Sequence, residues 1–146
     1  MKRSALIAAG ALLLGLVTAG QAHAAEHPPG CARVTQIGKT GHVGDHGQTW
    51  ASVKQFKGCG KNWAYVYTWT ETHNAGAPYT PKLLSIEQWA HKDAREPYGH
   101  PGLVKGKYRQ KELWSTGTDT LNDCTSAYVE WYSGAMTYAA RTDIRC

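Results

Sequence analysis

Residues 5–17 form an unbroken apolar run, preceded by Lys2 and Arg3 and followed by the small-residue pattern Ala22-His23-Ala24. This three-part arrangement predicts a cleavable secretory signal peptide over 1–24, with processing after Ala24. The run is shorter than the about 20 apolar residues a spanning helix needs, so no membrane span is expected. Processing would leave 122 of the 146 residues, a length suited to one domain over 25–146.

Beyond the apolar run the pattern becomes one of short alternating segments. Residues 49–56 and 62–70 are rich in aromatic and β-branched side chains, and Lys57-Gly58-Cys59-Gly60-Lys61 separates them. Two such runs around a glycine-bearing turn predict a β-hairpin. In the second arm Trp63, Tyr65, Tyr67 and Trp69 occupy alternate positions, so as a strand they share one face. Ala64, Val66, Thr68 and Thr70 share the other. Residues 126–132 and 135–142 flank Ser133-Gly134 and predict a second hairpin, and 108–116 reads as a further strand.

Elsewhere the pattern is less decisive. Residues 38–48 carry four glycines among His, Asp and Gln and read as a loop. Residues 74–81 are loop-like too, and 96–106, with two prolines and three glycines, must be irregular. Over 82–95, Leu83, Ile86, Ala90 and Ala94 fit a helical face, whereas Leu84, Ile86 and Ala90 fit a strand; the β neighbours favour the strand. Short strands joined by glycine-rich turns predict an all-β fold, a small sandwich or barrel with at most one short helix.

Composition changes the picture of the core. Beyond residue 24, Leu, Ile, Val and Phe number only 15, whereas six Trp and eight Tyr are present. Such rings bury large areas, so composition favours an aromatic core with the Trp63–Trp69 ladder part of it. Ala64, Val66, Thr68 and Thr70 would then form the exposed face. On an exposed face the same four rings would instead form a platform on which a sugar or an extended partner stacks. The four cysteines, Cys31, Cys59, Cys124 and Cys146, all lie beyond the apolar run, and an even count in an exported chain predicts a disulfide framework. Three pairings are open. The 64-residue gap between the second and third cysteines favours Cys31–Cys59 with Cys124–Cys146. Removal of Lys2 and Arg3 lowers the formal charge from +5 to +3, too mild to argue for nucleic acid.

Candidate chemistry is sparse. His42 and His46 flank Asp45, but three glycines disfavour the helix that would bring both histidines to one metal, and no metal or other cofactor is expected. His73, Glu71, His91, Asp93 and His100 supply bases and acids without grouping into a triad, and neither Gly-x-Ser-x-Gly nor His-Glu-x-x-His occurs. Lys105-Gly106-Lys107-Tyr108-Arg109-Gln110-Lys111 is a basic stretch with an embedded ring, which makes Lys105, Lys107, Tyr108 and Arg109 candidates for contact with an acidic polymer. A solvated strand face is the plainer reading of that stretch.

The Cys59-Gly60-Lys61-Asn62-Trp63-Ala64 turn and the Asp123-Cys124-Thr125 segment resemble small exported actinobacterial proteins of unestablished function. The chain is also faintly similar to secreted α-amylase inhibitors of the tendamistat type. That likeness implies an all-β fold, two disulfides joining sequence neighbours and a last cysteine near the C-terminus, as Cys146 is. The inhibitors' Trp-Arg-Tyr triplet does not occur here. The expectation is a secreted, non-catalytic module that binds an extracellular protein or polysaccharide. A small hydrolase using loop histidines, or an enzyme inhibitor, is the alternative.

Overall fold

The computed structural model describes residues 27–146, so the predicted signal peptide and its cleavage site lie outside the described residues. Seven strands and one short helix follow in chain order: β1 (Thr35–Asp45), β2 (Gln48–Gly58), β3 (Lys61–Thr68), α1 (Thr70–Asn74), β4 (Tyr79–Trp89), β5 (Glu112–Trp114), β6 (Cys124–Ser133) and β7 (Met136–Arg141). They form two antiparallel sheets, ordered β1-β2-β3-β5 and β4-β6-β7. The sheets pack face to face around Val43, Ala51, Val53, Ala64, Val66, Leu84, Ile86, Ala127, Val129 and Trp131, all buried. The fold is thus the small all-β, disulfide-stapled sandwich that the alternating segments predict.

Both predicted hairpins are present. Cys59 (φ 52°) and Gly60 (φ 71°) make the two-residue loop between β2 and β3, with Gly58 opposite Lys61. Successive left-handed residues match the right-handed twist of the flanking strands. Cys59 is bonded to Cys31, and Cys124 to Cys146, across 28 and 22 residues, which is the predicted pairing. In the chain-entropy account each closure restricts the unfolded chain by about 3–4 kcal/mol.

The expected loop at 38–48 is instead most of β1 and the start of β2. Its glycines sit inside the strand because the backbone passes close to other chain there: a Cβ on Gly41 would lie 2.2 Å from the Arg141 carbonyl oxygen. Only His46 and Gly47 turn, with Asp45 facing Gln48. Residues 82–95 are strand as far as Trp89, and β4 begins earlier than expected, within the segment read as loop. The expected strand at 108–116 shrinks to the three residues of β5. The irregular 98–106 segment nevertheless runs antiparallel along β4, with backbone bridges Gln88–Gly99 and Leu84–Val104.

The largest departure concerns the faces of β3. Ala64, Val66 and Thr68 point into the sandwich and are buried, while the aromatic ladder lies on the outward face. The second sheet explains this choice. It brings Leu84, Ile86, Val129 and Trp131 to the interface, and a close-packed interior then needs small residues opposite them. β2 agrees, because Ala51 pairs with Thr68 and Val53 with Val66.

Candidate binding site

The outward face of the first sheet carries an aromatic strip. At its centre Phe56, Tyr65 and Trp114 pack together, with ring centroids 4.4–6.1 Å apart, and Phe56 and Tyr65 are buried. Trp63 lies at the turn end, half-buried, its Nε1–H donating to the Gly58 carbonyl at 3.0 Å. Gly117 lies against that ring, since a Cβ there would stand 2.6 Å from Trp63 Cη2.

At the opposite end the strip opens to solvent. Trp69 follows directly on β3, and its N–H donates to the Trp50 carbonyl at 2.9 Å, so it keeps the register and points outward. Its indole N–H donates to the Ser52 hydroxyl at 2.8 Å, and His42 meets the ring edge-on at 6.4 Å. Trp69 as a whole stays 37% exposed. Tyr67, two residues back on the same face, is half-buried, with its hydroxyl 3.0 Å from Thr70 Oγ1. Lys111 donates to the same Thr70 oxygen at 3.2 Å, and its ammonium lies 5.4 Å from the Tyr67 ring centroid. Two rings fixed by hydrogen bonds are thus ringed by an imidazole, a hydroxyl and an ammonium.

α1 holds this end in place, and the basic stretch contributes to it. Arg109, in left-handed conformation (φ 54°), donates from its guanidinium to the His73 carbonyl oxygen and from its backbone N–H to the Tyr79 carbonyl oxygen at 2.8 Å. The Tyr79 hydroxyl donates to the Arg109 carbonyl at 3.0 Å. That hydroxyl has a single proton, so the 2.6 Å contact with His73 Nδ1 needs an Nδ1–H donor on the imidazole. Tyr79 itself stacks on Trp131, ring centroids 4.8 Å apart and planes within 4°. Arg109 is therefore a structural clamp, not the exposed contact that the sequence pattern suggests. Lys105, Lys107 and Tyr108 remain exposed at the surface.

The residues weighed for hydrolysis do not converge. His46 faces its neighbour Asp45 at 3.5 Å, His91 and Asp93 are exposed in a loop, and His100 meets Ser85 Oγ at 3.4 Å. Among the described residues no three His, Cys, Asp or Glu side chains group as metal ligands would. The one buried carboxylate of the second sheet's outward face, Glu87, is fully engaged. Arg141 Nε lies 3.1 Å from its Oε2, and Ser126 Oγ donates to it at 2.7 Å while receiving the Trp89 indole N–H at 3.0 Å. Beside it, burial first and the Glu130 and Glu87 charges next push the Tyr128 phenol above its ordinary range.

Comparison with protein-family models, with curated proteins and with solved structures returned no match. The site stands on its geometry alone. Alternation along 62–70 identified the four rings as sharing a face, but nothing local told which face is inward. The scarcity of aliphatic side chains favours core positions for Trp69 and Tyr67, and the structure places both on the outward face.

Proposed function

We propose that the protein is an exported, non-catalytic module that binds polysaccharide on the outward face of its first sheet, with Trp69 and Tyr67 as the stacking rings. The observation that carries this reading is the state of Trp69. A tryptophan 37% exposed beside a second aromatic residue on the same strand face supplies apolar area to solvent that packing does not require. Both rings are held by hydrogen bonds through their polar atoms, so little side-chain freedom remains to be lost on binding. Sugar rings present apolar C–H faces and hydroxyl edges. Two aromatics on one strand face, bordered by His42, Thr70 and Lys111, suit both, with the rings taking the faces and the polar groups the edges.

Two disulfides and the 1–24 signal pattern support export. Among the described residues no helix is long and apolar enough to cross a membrane. The test is co-sedimentation of the folded protein with insoluble cellulose, chitin and bacterial peptidoglycan. Retention on at least one of them should fall roughly tenfold or more in Trp69→Ala, a loss of about 1.4 kcal/mol, with the thermal midpoint lowered by no more than about 5 °C. Wild-type protein that sediments with none of the three, or equal retention of Trp69→Ala, overturns the reading.

A further inference from the structure

The 98–108 segment carries a second surface, built on observations separate from the aromatic strip. It covers the edge of β4 in extended form: Leu84 and Val104 exchange both backbone hydrogen bonds, at 2.9 and 3.0 Å, and Gly106 N–H donates to the Pro81 carbonyl at 3.0 Å. Extended backbone sends alternate side chains to opposite sides. Here the inward side is plain. Beyond the left-handed turn at Gly102, Val104 packs on the core, and Gly106 lies so close to β4 that an added Cβ would stand 2.2 Å from the Pro81 oxygen. Leu103, Lys105 and Lys107 therefore face outward, and Tyr108 follows at the tip of the next turn.

This row exposes more apolar surface than an edge needs. Of the six large hydrophobic residues exposed among the described ones, Tyr98 (64%), Leu103 (49%) and Tyr108 (67%) all fall on this one segment. Its charge is of one sign as well. Between Glu96 and Glu112 the chain has four cations and no carboxylate. Arg109 and Lys111 are engaged with α1, which leaves Lys105 and Lys107 as the outward charges, roughly 7 Å apart at extended spacing.

We propose that Leu103, Lys105, Lys107 and Tyr108 form a second binding strip, for an acidic polysaccharide of the polyuronate kind. The two ammonium groups meet carboxylates repeated along such a chain, and Leu103 and Tyr108 take the faces of its sugar rings. The charge complementarity makes binding salt-dependent, and it acts without Trp69.

The experiment is retention of the folded, disulfide-intact protein on immobilised polygalacturonate across a salt gradient. Lys105→Glu with Lys107→Glu should weaken binding at low salt at least roughly tenfold, flatten the salt dependence, and leave the thermal midpoint unchanged. Lys57→Glu with Lys92→Glu makes the same change in net charge at exposed sites elsewhere and should bind within about twofold of wild type. Tyr108→Ala should weaken polygalacturonate binding several-fold, and Trp69→Ala should leave it alone, so failure of the neutral-polysaccharide reading is distinguishable from failure here. Equal losses in the two double variants would reduce the effect to overall charge and overturn the proposal. So would equal retention of wild type and Tyr108→Ala on polygalacturonate and on long-chain polyphosphate, which carries charge without sugar rings.

Discussion

The outward faces of the two sheets solve the same problem with different chemistry. On the second sheet, Glu87 of β4, Ser126 of β6 and Arg141 of β7 join three strands through one ionic and hydrogen-bonded tie. The guanidinium closes it from outside, 5.3 Å from the Trp89 ring and 5.5 Å from that of Tyr128. Both carboxylate oxygens of Glu87 and the Ser126 hydroxyl thus have their partners inside the protein. On the first sheet the same position in the sandwich is filled by rings. Phe56 and Tyr65 are buried at the centre, Trp63, Tyr67 and Trp114 are half-buried, and Trp69 is exposed. A self-satisfied polar face reads as structure. A face that becomes less buried along its length, with its rings still fixed, reads as a surface held ready for something else.

Substitutions on the two faces should separate them by the size of the stability loss. Arg141→Ala would leave Glu87, 1% exposed, as a buried carboxylate without its countercharge. Removing one partner of such a pair costs several kcal/mol. Arg141 itself is half-exposed, and water can reach the vacated site, so about 3 kcal/mol is expected in chemical unfolding. A loss under about 1 kcal/mol would show that solvent replaces the guanidinium and that the tie is not structural.

Trp63→Ala should come next. Its ring is half-buried under Gly117 and tied to the Gly58 carbonyl, so roughly 2 kcal/mol is expected, below the usual 3–5 for a fully buried tryptophan. Trp69→Ala should be smallest of the three, within about 0.5–1 kcal/mol, because a partly exposed ring leaves behind a Ser52 hydroxyl that water can satisfy. Equal losses at Trp63 and Trp69 would erase the gradient along β3 on which the comparison rests.

The last effect is one of pH. Burial, with the Glu130 and Glu87 charges, raises the Tyr128 phenol above the ordinary value near 10, so the folded state prefers the neutral ring. Its contribution is complete below that ordinary value and disappears as pH rises through the shifted one. Absorbance titration should show one phenol ionising late in the wild type and missing in Tyr128→Phe. The same late phase in both proteins would place the perturbed phenol elsewhere and loosen the picture of the second face.

Much of this architecture is written in short stretches of chain. Runs 49–56 and 62–70 around Lys57–Lys61 are a hairpin because β-branched and aromatic residues favour extended backbone and Cys59-Gly60 accepts left-handed conformation. The disulfide pairing follows from an even cysteine count and nearness along the chain. Local pattern could not reveal contacts made at a distance. The glycines of β1 look like a loop until Arg141 is seen passing over Gly41. Arg109 looks like a surface cation until Tyr79 and His73 close around it. The short α1, between the strand expected to end at 70 and the loop expected from 74, is held by that same clamp.

The aromatic ladder shows the division most sharply. Alternation along β3 determined by itself that Trp63, Tyr65, Tyr67 and Trp69 share a face, because strand geometry has a period of two. It could not determine that the face is outward, since a strand's two sides are equivalent until something packs on one of them. Scarcity of aliphatic residues argued for burying the rings. Volume decided otherwise: the second sheet already brings Trp131, Leu84 and Ile86 to the interface, and only Ala64, Val66 and Thr68 are small enough to meet them at interior density.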